Sequence, residues 1–372
     1  MRSLGRSGVR IVLGLPPGQH AVRWSRYVNE RWAHPPLDNF DAFLPALQTF
    51  LRNRQDITAV FPGGEYTRGR LLETGHTLPC PIVGVPDTLF EACRDKLEAN
   101  QLAQSAGLLV PTTQVVTDLS SLQTFIDSCG FPAIVKPYRS KAELRGRKAL
   151  ILKSPEDVQT HLSPWPEEHQ ELLAQQYVTG PVEGADFVAA DGELTAYCEA
   201  TTERTDADDG TGYGVLFKSK APTSDLLQAT EAFAKSCQYS GPGLIQFIRT
   251  DDGQLYFIEN NPRLSAGVAT SINWGQDIPM RALEASYPEL RSEKAADLSY
   301  EYNSLCYWLE RDLEAYLRVR KSKTRKERGS IRQLIRQTFA QTNHHVLWSR
   351  SDPMPAVLQY TRMAYRFLKG SL

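Results

Sequence analysis

The stretch 243–263 limits this chain more than any other part of it. Two apolar, β-rich runs, Gly243-Leu244-Ile245-Gln246-Phe247-Ile248 and Leu255-Tyr256-Phe257-Ile258-Glu259, flank Asp252-Gly253. An Asp-Gly pair between such runs is a strong signal for a two-residue hairpin loop. With Asp252 and Gly253 as that loop, Gln246 is expected opposite Glu259, their Cβ atoms about 5 Å apart. Strand side chains alternate faces, so Glu259 and Asn261 point the same way. One carboxylate and two amide oxygens on one face make a hard-oxygen set of the kind Mg²⁺ uses beside phosphates. Arg263 follows, within reach of an anion. The plainer alternative is a surface hairpin with solvated polar residues, but Pro262-Arg263 directly after the pair is unusual for such a strand end.

The rest of the chain narrows the class. At 372 residues it is expected to hold two or three domains, with an ordinary apolar content and a real core. A net charge of -1 carries no overall attraction to nucleic acid or membrane, and nucleic acid is not an expected partner. The cysteines, Cys80, Cys93, Cys129, Cys198, Cys237 and Cys306, are scattered without close pairs. That argues against a disulfide scaffold or a zinc site and fits a reducing cytosol, so a cytoplasmic location is expected. The histidines lack metal-ligand spacing, and His344-His345 is a solvated pair. No apolar run approaches membrane-spanning length, and 11–15 is too short and too interrupted for a signal-peptide core.

Along the chain, 2–8 looks like a helix end, 9–13 a short strand, 38–53 a helix and 57–61 a strand ending in Pro62-Gly63-Gly64. This alternation suggests a parallel sheet. A helix is expected over 87–107, and Pro111 begins a new module. Phe131-Pro132-Ala133-Ile134-Val135-Lys136 is a strand ending at a lysine, followed by a basic loop over 139–148. A strand over 171–178 leads to Thr179-Gly180. The acidic, glycine-containing 202–214 is expected as a loop, 224–240 as a helix and 302–319 as a helix. The strongly basic 318–336 and an amphipathic helix carrying Val357, Leu358, Tyr360, Met363, Ala364 and Phe367 complete the chain.

A lysine-bearing strand, a basic loop, an extended segment that can meet an adenine edge and a hairpin with an oxygen cluster together suit a polyphosphate ligand. The set resembles the ATP-grasp superfamily, and within it the carbamoyl-phosphate-synthetase-like ATP-binding domains. The phrases carrying the resemblance are Asp95-Lys96 opening a helix that ends at Gly107-Leu108-Leu109-Val110-Pro111, then Ile134-Val135-Lys136-Pro137, then Glu171-Leu172-Leu173-Ala174-Gln175-Gln176-Tyr177-Val178-Thr179-Gly180, and Phe257-Ile258-Glu259-Asn260-Asn261-Pro262-Arg263. They cover about residues 87–285, with 1–86 as the usual preceding domain.

The resemblance implies a fold: an α/β pre-ATP-grasp domain over 1–90, an ATP-grasp domain of two α+β subdomains clasping ATP over 91–290, and a helical, basic extension over 291–372. It implies two Mg²⁺ ions, replaceable by Mn²⁺, on Gln246, Glu259 and Asn261. It implies Lys96, Lys136 and Lys148 on the phosphates, the backbone of Gln176 and Val178 at adenine, and Glu183 at ribose. Arg263 and Lys136 are the implied catalytic residues. The implied reaction activates a carboxylate as an acyl phosphate with ATP and joins it to an amine, releasing ADP and phosphate. A carboxylase or kinase using bicarbonate or another acceptor, and a non-catalytic ATP-binding regulator, are the alternatives. The partners are then a small carboxylate and an amine; a homodimer is open, and 318–336 can meet an anionic partner. Two departures stand out. The phosphate-covering loop has one glycine, Gly146, among Arg145, Arg147 and Lys148, which can supply side-chain charge instead. Leu264-Ser265-Ala266-Gly267 differs from the synthetases' continuation, so a different acceptor site is expected.

Overall fold

The computed structural model describes residues 1–372 apart from 19, 74, 76, 77, 138–143, 148, 207–212, 292–295, 321–335, 337–341 and 369–372, with backbone alone at 316–320 and 367–368. Strands among the described residues fall into three sheets. In the first, β1 (Val12–Leu15) pairs in parallel with β2 (Glu30–Ala33). The strand expected at 9–13 therefore starts later. The one expected at 57–61 shrinks to a single parallel bridge between Val60 and Ile82, flanked by Pro62 and Pro81, which have no N–H to lengthen a ladder. Beside it the helix Phe40–Arg52 is capped by Asn39, whose side chain accepts the Ala42 N–H at 3.3 Å. Its inward stripe, Phe40, Phe43, Leu44, Leu47 and Leu51, follows helical spacing and is buried.

The second sheet is antiparallel. It holds β3 (Thr113–Val116), β4 (Ala133–Pro137), β5 (Leu150–Leu152) and β6 (Leu172–Gln176) in the order β3-β6-β4-β5. The helix Leu119–Cys129 starts from a capping box of Asp118 and Ser121. It drives Leu122, Phe125 and Ile126 against Val116, Val135, Leu152 and Leu172. Each such fully buried side chain contributes about 1.5–3 kcal/mol.

The third sheet runs β11 (Leu255–Asn261), β10 (Gly241–Arg249), β7 (Val182–Ala190), β8 (Glu193–Thr205), β9 (Gly214–Ser219), β12 (Leu305–Tyr307), β13 (His344–His345). Ala185, Phe187, Ile245, Phe247 and Phe257 meet helices Asp87–Arg94, Lys96–Ser105 and Ser224–Ser236 on one face. Val188, Ala190 and Ala196 meet helix Ile278–Ser286 and Leu4 on the other. The expected single helix 87–107 is two. Asp95 is extended at φ -82 and ψ 121, and its carboxylate takes the Leu97 and Glu98 N–H groups at 2.9 and 3.1 Å. This cap starts a new helix at Lys96. The expected helix 302–319 begins as a strand, because Leu305, Cys306 and Tyr307 pair with β9; helix Leu309–Arg320 follows. The region expected to be helical thus also adds β12 and β13 to the sheet. The last helix, Met354–Leu368, buries Ala356 and Met363. Of the basic run 318–336, only the backbone of 318–320 and Arg336 lie among the described residues.

The hairpin departs from its expected form in two places that cancel. Arg249 pairs with Leu255, and Gly253 takes φ +86, so the loop holds three residues rather than two. That alone would slip β11 by one and turn every side chain over. One extra residue, Ile258, bulges between Phe257 and Glu259 and restores the count. Gln246 therefore faces Glu259, as expected. The turn from β6 into β7 is fixed by Gly180 at φ +148, where a Cβ would run into the Arg249 carbonyl. Gly180→Ala should cost at least about 2 kcal/mol; a urea denaturation midpoint equal to that of the parent would contradict this packing.

Candidate active site

Three oxygen-bearing side chains sit on the edge strand of the third sheet and its neighbour. Gln246 and Glu259 are direct cross-strand partners, and Asn261 lies two residues further on the same face. The Asn261 amide donates to Glu259 Oε1 at 2.8 Å. The Arg263 guanidinium donates to Asn261 Oδ1 at 3.1 Å, to the Leu264 carbonyl at 3.1 Å and to Glu65 at 3.4 Å. Glu65 opens the helix Glu65–Glu73 directly after Pro62-Gly63-Gly64, so the first sheet's region reaches the Asn261–Arg263 segment through this ion pair. Sequence reasoning missed Glu65; the glycine-rich turn before it was the available signal.

Two lysines face this set from other elements. Lys96 stands at the start of its helix and donates to the Pro137 carbonyl at 2.7 Å. Lys136 on β4 donates to Gln175 Oε1 at 2.8 Å. Gln175 in turn donates to Thr113 Oγ1 at 2.9 Å, which also receives Asn100 at 3.3 Å. This chain of bonds ties β4, β6, β3 and the Lys96–Ser105 helix together and aims Lys136. Gln175 is the second residue the sequence did not single out, although it is buried and adjoins Gln176. Burial, aided by the neighbouring Lys96 charge and opposed by Glu259, brings the Lys136 pKa down to about 8. Burial also lowers Lys96, against the pull of Glu259 and Asp95. Among the described residues neither ammonium group has a carboxylate within ion-pair distance, and two crowded, desolvated ammonium groups are the electrostatic signature of a site for a polyanion.

Gln176 closes β6, its N–H donating to the Thr112 carbonyl at 2.8 Å. Val178 is buried just past that end. Glu183 is placed otherwise than a ribose contact requires. It pairs with Phe247 rather than Gln246 and so takes the opposite face of the sheet. There Lys220 holds one of its oxygens at 2.8 Å and Arg249 the other at 2.8 Å. Lys148 lies outside the described residues, as does most of the loop before it. Arg145 turns toward the His161 and Pro164 carbonyls at 3.4 Å each.

Among the described residues no three His, Cys, Asp or Glu side chains gather as a metal site. The set here differs in kind, since two of its three donors are amides. A carboxylate and two amide oxygens suit a hard cation such as Mg²⁺, with the Asn261 contacts to Glu259 and Arg263 exchanged for it. No helix of the described residues is long and apolar enough to cross a membrane.

No family model matches the chain. Among curated proteins it is 24% identical over 224 residues to the arginine-specific large chain of a mitochondrial carbamoyl phosphate synthase from Neurospora crassa. That match takes in 55% of this chain and only 18% of the relative's length. Among solved structures, an N5-carboxyaminoimidazole synthetase from Staphylococcus aureus superposes with a TM-score of 0.62 at 17% identity, over 87% of this chain and 82% of that one. The biotin carboxylase domain of a Hydrogenobacter thermophilus 2-oxoglutarate carboxylase, in complex with MgADP, ADP and bicarbonate, gives 0.60 at 17% identity over 82% and 69%. At these identities the likeness is one of fold.

In the free protein Lys136 should titrate near 8, and Glu259→Gln should lower it further by removing the charge that favours the ammonium. Between about 8 and the ordinary 10.5 the unfolded chain binds the extra proton, so this lysine's contribution to stability grows as pH rises through that window. Carbon-13 dimethylation with NMR titration measures the value. A Lys136 signal titrating at 10.5, or unmoved by Glu259→Gln, would contradict the arrangement.

Proposed function

We propose that this chain, which has the ATP-grasp fold, is an ATP-dependent ligase that activates a small carboxylate as an acyl phosphate and joins it to an amine. The observation that carries the reading is the convergence of Gln246, Glu259 and Asn261 on one sheet edge with Lys96 and Lys136 from two other elements. An anionic triphosphate suits two under-partnered lysines beside a hard-oxygen set. Lys136, aimed by Gln175, and Lys96 bind the phosphate oxygens. The backbone beyond β6 at Gln176 and Val178 receives the adenine edge. Two Mg²⁺ ions held by Glu259, Asn261 and Gln246, or Mn²⁺ in their place, would neutralise charge on the phosphates. Arg263, released from Asn261, stabilises the negative charge that develops on the carboxylate and the transferred phosphoryl group. No protein nucleophile is required, since the acyl phosphate is itself the activated species.

A second reading takes bicarbonate as the acceptor of the phosphoryl group. It is favoured by the bicarbonate in the Hydrogenobacter thermophilus complex. A silent nucleotide-binding regulator is disfavoured by the intact Gln246, Glu259 and Asn261. Because the chain spans a fraction of the carbamoyl phosphate synthase it matches, that enzyme's whole activity is not carried over.

An ADP-release screen over carboxylate and amine pairs, with bicarbonate as one of the acids, tests the proposal. Glu259→Gln should abolish ADP release in a folded protein, and Gln246→Asp, which keeps an oxygen donor, should be milder. Lys136→Ala should weaken ATP binding by about 1–3 kcal/mol, read by calorimetry. Full turnover in folded Glu259→Gln would sink the assignment.

A further inference from the structure

Asp186 on β7 is a buried carboxyl that the nucleotide chemistry above does not use. It shares a cross-strand row with Leu244 and Asn261, so it lies two strands, about 10 Å, from Asn261. In the neighbouring row on the same face stand Gly184, Gln246 and Glu259. Gly184 contributes no side chain, and the Gln246 side chain lies over it, on the Asp186 side of the oxygen set; Leu244 stands between Asn261 and Asp186 in their own row. Asp186 is 7% exposed; its Oδ2 accepts the Ser271 hydroxyl at 2.6 Å, while its Oδ1 has no partner among the described residues. Ser265, two residues past Arg263, is equally buried; its hydroxyl is near enough to Asp186 to favour the carboxylate, but it lies within hydrogen-bond distance of no partner among the described residues. A buried carboxylate oxygen left without a donor is costly and calls for a ligand.

Resting on the ligase reading, we propose that Asp186 and Ser265 receive the N–H groups of the amine acceptor, with Asp186 taking its proton. The nitrogen lone pair forms the C–N bond, the acyl C–O bond breaks, inorganic phosphate leaves, and the displaced proton passes to Asp186 Oδ1. The chemistry selects against an anionic acceptor: bicarbonate would meet a carboxylate, whereas ammonium or a primary amine meets a hydrogen-bond acceptor and a charge of opposite sign. The groups facing Asp186 fit this role. Burial raises its pKa, and Ser271, Ser265 and Arg263 pull it back, which makes it a better base than an exposed aspartate. Cys198, its partner on β8, is held neutral because burial pushes its thiol up. Glu65 is spent on Arg263.

The test uses the full chain, MgATP and a panel of dicarboxylates and amino acids, with ammonium chloride and then hydroxylamine as nitrogen probes. Asp186→Asn should cut ammonium-dependent turnover by about a hundredfold or more and flatten the rise of its rate with pH. Hydroxylamine, which attacks as a neutral nitrogen, should still be converted to hydroxamate. Ser265→Ala should raise KM for ammonium with little change in kcat. Wild-type protein that yields no hydroxamate from any acid overturns the ligase reading and this inference with it. Wild-type hydroxamate together with an Asp186→Asn protein that uses ammonium at the parental rate overturns this inference alone. So does an Asp186→Asn protein that no longer binds MgADP, which would make the residue structural, or a Ser265→Ala protein with an unchanged KM.

Discussion

The cross-strand pairing of Gln246 with Glu259 is the constraint on which the rest of the site depends. Neither side chain could join a common oxygen set if β11 were displaced by one residue, because a single slip exchanges the faces of a strand. The hairpin loop and the Ile258 bulge each shift the count by one, and their effects oppose. The bulge also leaves Phe257 and Phe247 in the core while Glu259 turns outward. A packed face and a polar edge are thus served by the same two strands.

Electrostatics then binds two sheets that share no strand. Lys136 belongs to the four-stranded sheet and Glu259 to the seven-stranded one, yet the Glu259 charge favours the Lys136 ammonium across the gap between them. Lys96 comes from a third element, the helix whose start is set by Asp95. The free protein holds these lysines at a desolvation cost that an anionic ligand would relieve. A site made in this way is complete only when both sheets are in place, so binding of such a ligand would depend on the packing between them.

The acceptor side has a different character. Arg263 is shared among Asn261, Leu264 and Glu65, so it is held by weak, replaceable contacts rather than locked in one. Beyond it the chain turns through Ser265 and Gly267 to a short helix, Val268–Asn273, that anchors on Asp186 through Ser271. A buried carboxyl there, against a carboxylate and paired lysines at the other end, gives the site a polarity along β7, β10 and β11. On the proposed reading, anionic phosphate would sit at one end and a nitrogen donor at the other.

Local chemistry determined a good deal of this. The Asp-Gly turn, the alternation of Gln246, Glu259 and Asn261 and the lysine near the end of β4 are all short-range patterns, and a reader of the sequence can find them because the backbone rules that produce them act over a few residues. The failures are equally physical. The bulge at Ile258 was invisible because it compensates an error in loop length that no local propensity reports. The break at Asp95 was hidden in a continuous helical pattern, although the capping side chain was in plain sight. Glu183 looked like a free acid because nothing near it in the chain announces Lys220 or Arg249, which arrive through β9 and β10. Glu65, Gln175 and Asp186 acquire their roles only when elements far apart in sequence meet. Strand register is written in the sequence as a period; which side chains face one another across sheets is decided by packing, since burial and charge are properties of the assembled fold.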